Sequence, residues 1–159
     1  MSYVKSIEGI GNLPVDNVTD MTSMFNGTSS AVRWANVRLD TFDRNTLLSE
    51  WSADNVIWAK NMFKKSGFSS VVLHPRFFKY ARDISCLFQG SCIKEFWYND
   101  QMGNGTTYDY MFKDCKYLEY VSLTGHLINP STVTSQYEMF KGCDSLKMIE
   151  NTSQADDHC

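Results

Sequence analysis

Five cysteines, Cys86, Cys92, Cys115, Cys143 and Cys159, are the side chains of this chain most suited to nucleophilic, redox or metal chemistry. No two of them have Cys-x-x-Cys spacing, so the usual zinc-ligand pattern is missing. An odd cysteine count behind an N-terminus with no secretory signal points to free thiols. Cys115 and Cys143 each follow a phenylalanine by three residues, in Phe112-Lys113-Asp114-Cys115 and Phe140-Lys141-Gly142-Cys143. If those two segments stack, the pair comes within disulfide reach, for which Cα atoms lie about 5.5–6 Å apart. The plainer reading is a small buried residue at a tight turn. The histidines, His74, His126 and His158, share no register with the cysteines, so no Cys–His nucleophile pair is defined. Met102-Gly103-Asn104-Gly105-Thr106 is glycine-rich, but no lysine follows it, and it reads as a turn instead of a phosphate cradle. Carboxylates are scattered without a repeated pair, so acid–base catalysis has no candidate residues. Sequons begin at Asn17, Asn26, Asn104 and Asn151, where Asn and Thr also serve as turn and cap residues. The expectation is a protein without catalysis, cofactor or metal.

Composition narrows the partner class. The chain has 159 residues, the size of one domain. With 15 basic and 18 acidic side chains, its formal charge of −3 is a poor match to a phosphate backbone, which argues against nucleic acid. A hydrophobic fraction of 43% suits a folded chain. No apolar run approaches the roughly 20 residues of a membrane span, so no membrane insertion is expected. Met1-Ser2-Tyr3-Val4-Lys5-Ser6-Ile7-Glu8 lacks the apolar stretch of a secretory leader, which favours the cytoplasm over the cell surface.

The elements that would position any site repeat along the chain. Met-Phe recurs at Met24-Phe25, Met62-Phe63, Met111-Phe112 and Met139-Phe140, with Leu87-Phe88 as a conservative fifth copy. Successive steps are 38, 25, 24 and 28 residues. Asp16-Asn17-Val18 and Asp54-Asn55-Val56 precede the first two copies. In Val18-x-x-Met21-x-x-Met24-Phe25 apolar residues fall at three- and four-residue steps, the helical period. Asp or Asn before the valine would cap such a helix, and Gly27, Gly90, Asp114 or Gly142 would end it. Phe96-Trp97-Tyr98 and Val121-Ser122-Leu123 alternate as short strands. One helix with a three-residue strand cannot bury its own apolar face, whereas stacked copies can. The spacing therefore predicts a single α/β repeat domain over 1–159: a solenoid of about five helix–strand repeats with a short parallel sheet. Residues 1–15 would form an N-terminal cap, 16–150 the repeats and 151–159 a polar tail.

Leu48-Ser49-Glu50-Trp51-Ser52-Ala53-Asp54-Asn55-Val56, followed six residues later by Met62-Phe63, resembles the repeat of the BspA-like leucine-rich-repeat surface proteins. Asn17-Val18-Thr19-Asp20-Met21-Thr22-Ser23-Met24-Phe25 resembles the second half of that repeat. The resemblance extends over roughly residues 16–150 and implies a right-handed, leucine-rich-repeat-like solenoid that binds other proteins, in many members for adhesion. It implies no catalytic residues. The resemblance leaves open a fragment of a bacterial surface adhesin or a short bacteriophage-encoded inhibitor or accessory protein acting on a host protein.

Repeat proteins bind through stacked equivalent positions. If Val71, Phe96, Val121 and Ile149 face the core, period 2 turns their neighbours outward. One outward column is then Ser70, Glu95, Tyr120 and Met148, and the next is Val72, Trp97, Ser122 and Glu150. Val72, Trp97, Tyr120 and Met148, with Glu95, Ser122 and Glu150 around them, have the composition of an interface centre and rim. The expected partner is a protein of unknown identity, and the oligomeric state is open.

Overall fold

The computed structural model describes residues 13–28, 54–68, 71, 73, 77–98, 106–123 and 133–150. Each Met-Phe segment folds as a double turn and not as a helix. The residue before each Met or Leu takes a left-handed backbone: Ser23, Asn61, Cys86, Tyr110 and Glu138 have φ between 48° and 60°. The residue two beyond each Phe does the same, at Gly27, Lys65, Gly90, Asp114 and Gly142. A left-handed residue costs a non-glycine side chain about 1–2 kcal/mol and stops a right-handed helix. The cost is met by a distinctive bonding scheme. Within a turn, alternate N–H groups reach back three residues, as from Met24 to the Met21 carbonyl (3.2 Å) and from Asn26 to the Ser23 carbonyl (3.0 Å). The N–H groups between them point at the next turn. Met21, Ser23, Phe25 and Gly27 donate to the carbonyls of Trp58, Lys60, Met62 and Lys64, at 2.8–2.9 Å. The scheme repeats through Phe63 to Leu87, Phe88 to Met111 and Phe112 to Met139, at 2.8, 2.8 and 3.0 Å.

Turns bonded in this way lie in register, so their phenylalanines stack. Rings 25–63, 63–88, 88–112 and 112–140 are 5.2, 5.2, 5.5 and 5.5 Å apart, and none is tilted from the next by more than 9°. Such pairs contribute about 0.5–1.5 kcal/mol each beyond area burial. Met62, Leu87 and Met111 pack beside the stack and are fully buried.

Two short parallel sheets flank the turns. Strands β1 (Glu95–Tyr98), β3 (Tyr120–Leu123) and β5 (Met148–Glu150) form one sheet in the order β1-β3-β5. Its register sets Glu95, Tyr120 and Met148 in one row, Phe96, Val121 and Ile149 in the next, and Trp97, Ser122 and Glu150 in the third. Strands β2 (Thr106–Thr107) and β4 (Val133–Ser135) pair on the entry side of the turns. Single parallel bridges continue that line through Asp20, Trp58, Asp83 and Thr107.

The architecture corrects the expected one. The right-handed, leucine-rich-repeat-like solenoid of about five helix–strand repeats does not form: the described residues contain no α-helix, and among them the larger parallel sheet has three strands. Apolar residues three and four apart meet the same core when the chain makes successive three-residue turns, so their spacing does not discriminate. The left-handed residues decide against the helix. Val71 and Leu73 are buried but belong to no strand. Ser70, Val72, residues 1–12 of the expected cap, the 29–53 segment and the tail from 151 lie outside the described residues.

Candidate functional site

The residues expected to point outward are brought together on β1, β3 and β5. Phe96 and Tyr98 turn inward and are buried, which leaves Glu95 and Trp97 on the other face of β1. Trp97 is 52% exposed, and its ring centroid lies 4.3 Å from that of Tyr120 on the neighbouring strand. Met148, in the row of Tyr120, is 50% exposed. The Tyr120 hydroxyl donates to the Glu150 carboxylate on β5. The tyrosine is thus fixed from both sides. Partial desolvation, then the adjacent Glu150 carboxylate, raises the Tyr120 pKa, so the phenol keeps its proton. The result is a ledge of Trp97, Tyr120 and Met148 with Glu95 and Glu150 at its margins.

Two exposures differ from expectation although the register holds. Ser122 shares the row of Trp97 and Glu150 but is only 4% exposed, because it is the smallest side chain of that row and sits between the two larger ones. Ile149 shares the row of Phe96 and Val121 but is 44% exposed, since β5 is the last strand of its sheet and no described strand lies beyond it. Val72 is outside the described residues.

A further column was not anticipated. Lys94, Glu119 and Lys147 each stand one residue before a strand, and the Lys147 Nζ donates to Glu119 Oε2 at 2.6 Å. That hydrogen bond holds the Glu119 carboxyl below its ordinary pKa. The alternation Lys, Glu, Lys at strand entries was its visible signal in the sequence. Being exposed, the pair is screened by solvent and adds little to stability, but it sets a charged border along one side of the ledge.

Two of the cysteines, Cys115 and Cys143, tie one turn to the next. Cys86, Cys92, Cys115 and Cys143 are free thiols. The Cys115 Sγ donates to the Phe88 carbonyl (2.9 Å) and the Cys143 Sγ to the Phe112 carbonyl (3.0 Å), each reaching the preceding turn. Burial pushes the Cys115 thiol up to about 12, which keeps it protonated and a poor nucleophile. Cys159, the three histidines and the glycine-rich 102–106 segment up to Gly105 lie outside the described residues. Among the described residues no group of three His, Cys, Asp or Glu side chains could hold a metal ion, and no helix is long and apolar enough to cross a membrane.

Residues 3–91 match the family described as "Mycoplasma protein of unknown function, DUF285". No curated protein and no solved structure matches the chain.

Proposed function

The chain belongs to this Mycoplasma family, and we propose that it is a non-catalytic protein-binding module that uses the exposed face of β1, β3 and β5. The observation that carries the reading is a half-exposed tryptophan, Trp97, packed 4.3 Å from Tyr120 on a hydrogen-bonded sheet. Exposed Trp and Tyr on a rigid support lose little conformational entropy on binding and are the commonest interface anchors. The carboxylates of Glu95 and Glu150 and the Lys147–Glu119 pair supply a polar rim. The resemblance of the repeats to BspA-like surface proteins supports the same role.

The test compares the wild-type chain with a Trp97→Ala/Tyr120→Ala variant as baits in cell lysate and in surface extract, with cross-linking and mass spectrometry. The expected outcome is a protein captured by the wild type and lost by the variant, with the melting temperature unchanged to within about 4 °C. Identical captured sets would refute binding through this face, and unfolding of the variant would show that the two rings hold the fold.

A further inference from the structure

The last turn, around Met139-Phe140, differs from the four before it. In those four, the N–H groups one before the Met, at the Phe and two after it donate to the following turn. The equivalent groups here belong to Glu138, Phe140 and Gly142, and no described residue accepts from them. Phe140 stacks on Phe112 with one ring face and remains only partly buried. Beside it Leu146 is also partly buried, and Met148 and Ile149 are about half exposed. Three aligned donors next to an apolar, aromatic surface specify a complement: carbonyls at every second residue with an aromatic ring between them.

Side chains specify it further. Lys113, one after Phe112, donates to Glu138, two before Phe140, at 2.6 Å across the turn-to-turn interface. Lys141 occupies the Lys113 position in the last turn; it donates to Glu138 of its own turn at 2.5 Å and still leaves its side chain 60% exposed. An ammonium carries three donors, so Lys141 can also bond an acidic residue two before the incoming aromatic, as Lys113 bonds Glu138. We propose that this end of the stack binds a turn of the pattern acidic-Met-Phe-x-Gly contributed by another polypeptide, which continues the interface already formed between turns in this chain.

A second copy in its folded form is a poor occupant. At the opposite end Val15, Met21 and Phe25 are at most 5% exposed, so no bare ring awaits Phe140. Two copies joined at their Phe140 ends would set donor rows against each other, which leaves buried N–H groups without acceptors.

The probe is a synthetic peptide with the sequence of residues 133–146, carrying Cys143→Ser, added to the full-length protein and followed by amide NMR. The expected result is saturable shifts of the Glu138, Phe140 and Gly142 amides at peptide concentrations up to about 1 mM. Phe140→Ala within the peptide should weaken binding at least about tenfold, and Glu138→Lys within the peptide by several-fold. The Trp97→Ala/Tyr120→Ala protein should bind the peptide as the wild type does, which separates this surface from the sheet face. Absence of shifts at these amides would overturn the proposal, as would equal binding of a scrambled peptide. Concentration-dependent shifts of the same amides without peptide would overturn it in favour of self-association. Slow hydrogen exchange there in the dilute protein would overturn it by assigning the surface to the chain's own residues.

Discussion

The turn stack and the strand sheet share the same repeats but use them differently. In the stack every one of five turns contributes a phenylalanine to one column, and four of the five rings are at most 4% exposed. In the sheet three repeats form strands among the described residues, and equivalent positions hold different side chains: Glu95, Tyr120 and Met148, or Trp97, Ser122 and Glu150. Uniformity marks the region that supplies stability, because one geometry must recur for turns to stack. Variation marks the region free to acquire a specific surface. The strongest way to break this division is a pair of aromatic truncations. Phe88→Ala removes the central ring of the stack, which is fully buried between Phe63 and Phe112, and should cost about 3–5 kcal/mol in urea unfolding. Trp97→Ala should cost about 1 kcal/mol or less. Equal losses would mean that the sheet face is core.

The phenylalanine column and the strand register were legible in the sequence, since a Phe recurring at steps of 24 to 38 residues with matching flanks marks one structural position used repeatedly. The double turn was not. Val18, Met21 and Phe25 read equally well on a helix, and nothing in Tyr110 or Glu138 announces a left-handed backbone, which tertiary bonds impose. Gly27, Gly90, Asp114 and Gly142 did announce it, but as the end of a helix instead of the middle of a turn. On the sheet, alternation located Trp97 and Tyr120 but not the burial of Ser122, which depends on the size of its cross-strand neighbours. The exposure of Ile149 follows from its place in the last strand, and periodicity treats every repeat as internal.

Two glycines of the stack sharpen the comparison within one region. Gly27 and Gly142 both have φ of 76°. A Cβ on Gly27 would meet nothing within 4 Å, while one on Gly142 would lie 2.5 Å from Asp114 Oδ1 and 3.3 Å from its Cα. Gly27→Ala should therefore cost about 1 kcal/mol, the left-handed strain alone. Gly142→Ala should cost roughly twice that, because the Asp114 turn must also shift. Denaturant midpoints of the two variants, measured side by side, check the order. A smaller loss at Gly142 would mean that the last turn is loosely held and does not share the packing of the others.

The smallest effect is a titration confined to that last turn. The hydrogen bond from Lys113, then that from Lys141, lowers the Glu138 carboxyl from an ordinary 4.5 to about 2. The Lys113 ammonium is raised by the same contact, so the two partners agree in sign. The unfolded chain takes up this proton near pH 4.5 and the folded chain only near 2. The contribution to stability is thus complete above pH 4.5 and is lost as pH falls through this window towards 2. Glu138→Gln has no proton to bind there. Its unfolding midpoint should lie below that of the wild type at neutral pH, and the gap should close progressively between pH 4.5 and 2. Because the site is at the surface, added salt should narrow the gap at neutral pH as well. A pH-independent gap would show that Glu138 acts through packing. It would also remove the charge pairing from which an acidic residue was inferred opposite Lys141, while leaving the donor row of Glu138, Phe140 and Gly142 in place.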